Sequence, residues 1–241
     1  MDHLFVITYG RSGSTLLLNI LNAIEGYCIR GENDGATQRM VEAVEHMRAT
    51  KERFAHKDDG TPQSPWYGVK DIECEEWGKA VATAFTRHIL RPEGDTRVTG
   101  FKEIRFTPRH QSDEMFLATL DFLTSAFPNA RVIFNTRSVA EIAQSGWWSR
   151  RDPKQVQKTI EASNARFRQG KTILGDRAFL IDYAQYNANP EGFQPLLDWL
   201  GESVPPERLA EVSAIRLDHG REQELKRKPG LKTRLKRMLR A

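Results

Sequence analysis

The stretch TYGRSGSTLLLNIL, residues 8–21, follows the apolar run LFVI at residues 4–7 and constrains the fold more than any other segment. An apolar run, a Gly- and Ser-rich turn and a segment of helical apolar spacing predict a strand, a tight turn and a helix. Gly10 and Gly13 allow the backbone to turn sharply, and the amides and dipole of the helix then face the end of the strand. The turn therefore predicts a site for an anion, and above all for a phosphate group.

The side chains of this turn favour the same interpretation. Arg11 adds a permanent positive charge, and the hydroxyl groups of Ser12, Ser14 and Thr15 add donors. The alternative is a turn whose hydroxyl groups only cap the helix, and it leaves Arg11 without a role. We therefore predict that Arg11, Ser12, Gly13, Ser14 and Thr15 bind the anion.

The turn departs from the nucleoside triphosphate loop G-x-x-x-x-G-K-[ST] in two respects. Gly10 and Gly13 are too close together, and no lysine precedes Ser14 or Thr15. The strand-like run VIFNTR also ends without the aspartate that holds magnesium in such enzymes. We therefore expect group transfer without a metal, and a nucleotide kinase or NTPase remains the alternative enzyme class.

Strand-like and helix-like segments alternate along the chain, which predicts an α/β fold. The strand-like runs are 4–9, 97–106, 130–137 and 178–183, and the helix-like runs are 14–24, 75–90, 113–127 and 138–148. This order predicts a single domain over residues 1–219, with a P-loop-like central parallel sheet flanked by helices on both faces. The polar segment 50–70 is expected to form a loop or lid over the ligand.

The basic residues are concentrated at the carboxyl terminus. Residues 220–241, which we call the basic tail, contain nine Lys or Arg and two Glu, a surplus of seven. Since the chain carries +4 overall, residues 1–219 carry −3. Two interpretations stay open: a solvated tail, or a segment that contacts an anionic membrane surface through its charges and its helically spaced Leu and Met residues. No nucleic-acid-binding module accompanies the tail, so a nucleic-acid partner is not expected.

Cysteine content and hydropathy point to the cytoplasm. Cys28 and Cys74 form no C-x-x-C pair and suit a reducing compartment, although a single disulfide between them remains the alternative. No apolar run approaches the roughly 18–20 residues that span a membrane. We expect a cytoplasmic location, and the oligomeric state stays open.

The turn resembles the 5′-phosphosulfate loop of sulfotransferases that use 3′-phosphoadenosine 5′-phosphosulfate (PAPS). GRSGST is similar to the loop of the bacterial carbohydrate and tyrosyl-protein branches of this family. In NTRSVAEIAQSGWW, an arginine at the end of a buried strand is followed by a serine eight positions later, which is the spacing of the family's 3′-phosphate site. The resemblance implies that Arg137 and Ser145 bind the 3′-phosphate. Tyr183 in AFLIDYAQY matches a tyrosine near the adenosine end of the cofactor.

The resemblance also implies roles for three candidate catalytic residues. Arg11 matches the basic residue that neutralises the leaving phosphate, and Lys102 in GFKEIR matches a lysine that holds the transferred sulfuryl group. Glu32 in IRGENDG lies at the distance of the glutamate that serves as general base in the bacterial and tyrosyl-protein branches. Glu103 is the alternative base, although neighbouring strand residues point to opposite faces, so Lys102 and Glu103 should not both enter the site.

The predicted function is transfer of a sulfuryl group from PAPS to a hydroxyl group of a carbohydrate, a lipid-linked glycan or another small molecule. The second alternative, beside the kinase or NTPase, is a nucleotide-binding adaptor without activity. Five aromatic residues are candidates for an acceptor pocket, although such residues more often belong to a core: Trp66, Tyr67, Trp77, Trp147 and Trp148.

Overall fold

The computed structural model describes residues 1–214, so the basic tail lies outside the described residues. A five-stranded sheet forms the centre of the described chain, with strands in the order β2-β3-β1-β4-β5. All four neighbouring strand pairs are parallel. The strands are β1 (Asp2–Ile7), β2 (Tyr27–Arg30), β3 (Val98–Glu103), β4 (Arg131–Thr136) and β5 (Ala178–Asp182).

Helices connect successive strands and continue beyond the last one. They are α1 (Ser14–Leu21), α2 (Ala36–Phe54), α3 (Cys74–Phe85), α4 (Asp113–Ala126), α5 (Val139–Ala143), α6 (Pro153–Leu174), α7 (Tyr183–Tyr186), α8 (Gln194–Leu200) and α9 (Pro206–Ala214). Among residues 1–214, no helix is both long enough and apolar enough to span a membrane. Cys28 and Cys74 are both free thiols, so the alternative of a disulfide between them is wrong.

Two hydrophobic cores lie on opposite faces of the sheet. Successive side chains of β1 alternate between them, because strand side chains point to opposite faces. Phe5 and Ile7 join the first core with residues of α2, α4 and α6. Leu4 and Val6 join the second with residues of α1, α8 and α9. The prediction of a parallel α/β sheet with helices on both faces is therefore confirmed.

The strand order places a ligand site at the carboxyl end of β1. From β1 the chain runs to β2 and β3 on one side and then crosses to β4 on the other. In open parallel sheets such a reversal leaves a crevice beyond the strand ends, where ligands bind. Predicted site residues meet at this crevice from the end of β3 (Lys102) and from the segments after β1, β2, β4 and β5 (Arg11, Glu32, Arg137 and Tyr183).

Two local predictions are wrong in part, and the edge strand β2 and the long helix α2 were not predicted. The predicted loop or lid 50–70 begins inside α2, which includes residues 50–54. The remainder of that segment packs beside α2, where Phe54 and Trp66 stack with ring centroids 3.6 Å apart. The predicted helix 138–148 ends after α5 and is followed by a 3₁₀ helix, Gly146–Arg150.

Candidate functional site

The turn after β1, residues 10–15, is shaped by two aromatic rings that lie directly on its glycines. We call these residues the anion loop. A Cβ at Gly10 would lie 2.2 Å from Cζ2 of Trp147, and one at Gly13 would lie 2.1 Å from Cδ2 of Tyr183. Arg11 and Gly13 adopt φ angles of 70° and 81°, in the left-handed region. Close packing and backbone conformation together therefore require glycine at Gly13, and close packing requires it at Gly10.

A buried hydrogen-bond network supports the anion loop from below. The Thr8 hydroxyl donates to Oγ of Ser12 at 2.7 Å, and Nδ2 of Asn135 donates to the Ser12 carbonyl at 3.0 Å. The Tyr186 hydroxyl donates to Oδ1 of Asn135 at 2.8 Å. Ser12 is completely buried, so the expectation that its hydroxyl faces an anion is wrong. Ser12 instead fixes the backbone of the loop through this network.

The first helical turn of α1 presents amides beyond the anion loop. The helix begins at Ser14, and Gly13 at its N-cap has no side chain to accept from the first amides. The amides at the start of a helix lack partners within the helix, and the positive end of its dipole favours an anion there. Ser14 and Thr15, the first two residues of the helix, both line the adjoining cavity.

Arg11 and Arg137 line one end of the cavity, and Ser145 contacts Arg11 there without lining the cavity itself. Nε of Arg11 donates to Oγ of Ser145 at 3.1 Å, and a terminal guanidinium nitrogen of Arg137 donates to the Arg11 carbonyl at 3.0 Å. The Arg137 guanidinium carbon lies 4.2 Å from the centroid of the Tyr183 ring, as expected for a cation–π contact. The structure thus brings two arginines, a hydroxyl group and an aromatic face into one cluster.

Ser145 reaches this cluster without belonging to a helix. The prediction placed it two turns into a helix, but its backbone is extended, with φ −109° and ψ 127°. Gly146 follows with a φ of 54°, and a Cβ there would lie 2.9 Å from Nε of Arg11. The close approach of Arg11 and the left-handed Gly146 therefore end the helix before Ser145.

Lys102 and Glu32 form an ion pair at another part of the same cavity. Nζ of Lys102 lies 2.6 Å from Oε1 of Glu32, and both residues line the cavity. The Lys102 side chain is 5% exposed, whereas the Glu32 side chain is 45% exposed. A buried ammonium group thus holds one oxygen of a carboxylate that remains accessible from solvent.

The cavity that joins these groups has a volume of about 860 Å³. Its volume lies within the range of about 300–1,000 Å³ that is usual for ligand sites. It is lined by Gly10, Arg11, Gly13, Ser14, Thr15, Leu16, Glu32, Lys102, Ile104, Arg137, Trp147, Tyr183, Asn187, Ser213 and Ala214. The described residues contain no group of three or more His, Cys, Asp or Glu side chains arranged to hold a metal ion.

The family follows from a match that spans most of the chain. The model of the sulfotransferase family matches residues 3–206. The chain belongs to the sulfotransferase family. No curated protein sequence matches the chain.

Two solved structures are also similar to this sulfotransferase-family chain. One is the sulfotransferase STF9 from Mycobacterium avium, with 12% identity, a TM-score of 0.43, and coverage of 88% of this chain and 66% of the other. The other is retinol dehydratase in complex with androsterone and the inactive cofactor PAP, with 12% identity, a TM-score of 0.37, and coverage of 88% and 63%. The chain thus spans about two thirds of the length of each.

The candidate site includes residues that the sequence did not indicate. Thr8, Asn135 and Tyr186 fix the anion loop from below, and burial raises the pKa of the Tyr186 hydroxyl. Tyr9 anchors Arg137, because its hydroxyl accepts from the Arg137 amide at 2.8 Å. Thr8 directly follows β1, and Asn135 lies near the end of β4. Their position at the ends of strands is the sequence signal that could have identified them as site residues.

The aromatic candidates separate into different environments. Trp147 lines the cavity, and Trp148 is buried and donates to the Gly10 carbonyl at 2.9 Å. The other three, Trp66, Tyr67 and Trp77, are absent from the lining, as is every residue of segment 50–70. The predicted lid therefore does not cover the site in this structure.

Proposed function

We propose that the protein transfers a sulfuryl group from PAPS to a hydroxyl group of a carbohydrate, a lipid-linked glycan or another small-molecule acceptor. One observation carries the proposal: a single cavity holds an anion loop with two arginines at one end and a lysine–carboxylate pair at the other. A donor nucleotide with two separate phosphate groups requires the loop and its arginines. Removal of a proton from an acceptor hydroxyl requires the carboxylate.

The residues at the arginine end fit the donor nucleotide. Arg137 lines the cavity, and its buried Nε has no hydrogen-bond partner among residues 1–214. Arg137 and Ser145 would hold the 3′-phosphate, because arginine and hydroxyl donors form charge-assisted bonds to phosphate oxygens. The amides of the anion loop with Ser14 and Thr15 would hold the 5′-phosphate, and Tyr183 would keep Arg137 in place. When bound, PAPS supplies an activated sulfuryl group on its 5′-phosphate.

The residues at the other end fit an in-line displacement. Glu32 accepts the proton of the acceptor hydroxyl through Oε2, while its Oε1 keeps the bond from Lys102. Lys102 neutralises oxygens of the sulfuryl group as the acceptor O–S bond forms and the S–O bond to the phosphate breaks. Arg11 and the loop amides stabilise the negative charge that develops on that phosphate oxygen.

The experiment that tests this proposal compares nucleotides by thermal stabilisation. Adenosine 3′,5′-bisphosphate (PAP) at about 100 times its Kd should raise Tm by about 5–10 °C, since a ligand of the folded state adds about 2.7 kcal/mol. AMP and ATP should stabilise less, with or without magnesium. Equal stabilisation by ATP only when magnesium is present would instead favour the kinase alternative. PAP binding without turnover of PAPS on any acceptor would favour the adaptor.

Arg137→Ala locates the 3′-phosphate in the same assay. Loss of charge-assisted bonds worth about 1.5–3 kcal/mol should weaken PAP binding about 10–100-fold and leave AMP affinity unchanged. The matched control is Arg39→Ala, whose 77% exposed side chain pairs with Glu42 on the surface of α2. A variant that still prefers PAP over AMP would mean that the 3′-phosphate binds elsewhere.

We also propose a cytoplasmic location. Both cysteines of the chain are free thiols, which a reducing compartment maintains.

A further inference from the structure

The segment after β2, residues 31–35, carries Glu32 and is held by the end of β3. We call these residues the carboxylate loop. We propose that Glu103 is a positioning residue, whose buried carboxylate fixes the carboxylate loop so that Glu32 faces Lys102. The catalytic consequence rests on the proposed sulfuryl transfer, whereas the contact itself does not.

The Glu103 carboxylate accepts four backbone hydrogen bonds. Its Oε2 accepts from the amides of Asn33 and Gly35, both at 3.0 Å. Its Oε1 accepts from the amides of Ile104 at 2.7 Å and Arg105 at 3.1 Å. Because a buried charge is costly without such bonds, these amides account for a carboxylate that is only 1% exposed. One oxygen thus binds the carboxylate loop, and the other binds the segment after β3.

The carboxylate loop contains two consecutive residues in the left-handed conformation. Asp34 has a φ of 59° and Gly35 a φ of 77°. This conformation is uncommon for a residue with a side chain, although Asp tolerates it better than most. Arg105 forms an exposed ion pair with Asp34, and such pairs contribute little. The buried Glu103 carboxylate is therefore the stronger constraint on this backbone.

Glu103 also relates the carboxylate loop to the anion loop. Its carbonyl accepts from the Thr8 amide at 3.1 Å, and Thr8 in turn supports Ser12. One residue thus connects the backbone beside Glu32 with the strand end that leads into the anion loop. Reacting groups must align closely for transfer, and a misplacement of about 1 Å can reduce the rate about 10²-fold.

The alternative role for Glu103, that of general base, has poor support in this geometry. Both of its oxygens are engaged by four amides, its side chain is buried, and it does not line the cavity. Glu32, by contrast, has an accessible carboxylate inside the cavity. The two roles predict different pH profiles.

The decisive variant is Glu103→Gln. Each carboxylate oxygen of Glu103 accepts from two backbone amides, whereas the glutamine side chain has only one oxygen, so its NH₂ group would face two N–H donors. We expect kcat to fall about 10–100-fold with KM for PAPS and Kd for PAP nearly unchanged. The acidic limb of the kcat–pH profile should persist, because Glu32 remains in place as the general base. Hydrogen exchange at the amides of Asn33 and Gly35 should accelerate, because both lose an acceptor.

Two further variants keep the outcome interpretable. Glu42→Gln makes the same chemical change at an exposed carboxylate on α2 and should change neither exchange in the carboxylate loop nor kcat. Gly35→Ala leaves Glu103 intact but adds a Cβ at a left-handed φ, 3.2 Å from Oε1 of Gln38. It should lower kcat while sparing PAP binding, and it replaces Glu103→Gln if that variant does not fold.

Two results would overturn the proposal: unchanged exchange at residues 31–35 in Glu103→Gln, or disappearance of the acidic limb in that variant. Failure of the proposed function has a different outcome, in which wild type shows no preference for PAP over AMP. The exchange measurement would still decide whether Glu103 holds the carboxylate loop.

Discussion

The two ends of the cavity are built by different means. The anion loop lies between the central strands β1 and β4 and is enclosed by a buried network and two aromatic rings. The carboxylate loop follows β2, a four-residue edge strand, and is held mainly by charged side chains from the end of β3. Amides that stabilise a developing charge must be oriented before the reaction, which requires a rigid support. A general base needs only one correctly placed side chain with access to the acceptor.

Of the variants considered, Glu32→Gln should have the largest effect, and it should act on turnover and not on nucleotide binding. The variant keeps the size of the side chain but removes the base, so kcat should fall about 10²–10⁴-fold, the usual contribution of general base catalysis. The anion loop makes no contact with the substituted group, so Kd for PAP should stay close to that of wild type. Steady-state turnover and nucleotide titration measure the two effects separately.

A suitable control is Glu141→Gln, since Glu141 is a partly exposed carboxylate that pairs with Arg137 at 3.4 Å beside the anion loop. It should affect PAP binding more than turnover, the reverse of Glu32→Gln. Full activity in Glu32→Gln would assign the proton to another group and remove the basis for calling this end of the cavity catalytic.

Tyr186→Phe should destabilise the anion loop, at the other end of the cavity. The change removes the hydroxyl that donates to Oδ1 of Asn135 and leaves that buried oxygen without a donor. An unsatisfied buried acceptor costs about 1–3 kcal/mol, so the free energy of unfolding should fall by that amount and PAP binding should weaken. Denaturant unfolding and PAP titration provide the measurements.

The matched control is Tyr67→Phe, which removes a hydroxyl from a ring that is 57% exposed. It should leave the free energy of unfolding and Kd for PAP unchanged. Exchange in the carboxylate loop should also stay as in wild type for Tyr186→Phe, because the network does not include that loop. Equal loosening of both loops would show that the two ends of the cavity are one cooperative unit.

The same contrast explains what could be predicted from the sequence. The anion loop was recognisable because strand, turn and helix follow one another within about a dozen residues, and Arg137 stands at the end of a strongly apolar strand. The parallel α/β fold followed from the same alternation. The contacts between Glu103 and residues 33 and 35 join positions about seventy apart, and no local pattern encodes them.

The errors have a common physical cause. The prediction took Ser12 for an anion donor because hydroxyl groups in a turn look equivalent until burial distinguishes them. Ser145 was placed on a helix because the spacing is helical, whereas packing of Arg11 against Gly146 redirects the chain. Helix α2 was not predicted because its surface is largely polar and only a few of its residues, such as Val41 and Val44, are buried in the core.

The smallest expected effect lies away from the cavity, at the start of β1. In neutral His3, Nδ1 donates to the Pro128 carbonyl at 3.1 Å and Nε2 accepts from the Thr86 hydroxyl at 3.2 Å. Burial lowers the pKa of His3 below its usual 6.5. The unfolded chain therefore binds a proton at a higher pH than the folded chain does. Stability is fully present above about pH 6.5 and declines as the pH falls toward the folded pKa, by at most about 1.4 kcal/mol per pH unit.

His3→Gln removes this titration and should flatten the decline in the free energy of unfolding between pH 7 and pH 5. Burial also lowers the pKa of His110, so His110→Gln should remove a separate part of the slope. Kd for PAP, measured at pH 7, should be the same in His3→Gln as in wild type, because His3 stands at the end of β1 opposite the anion loop. A pH dependence of stability that persists unchanged in both variants would assign it to other titratable groups.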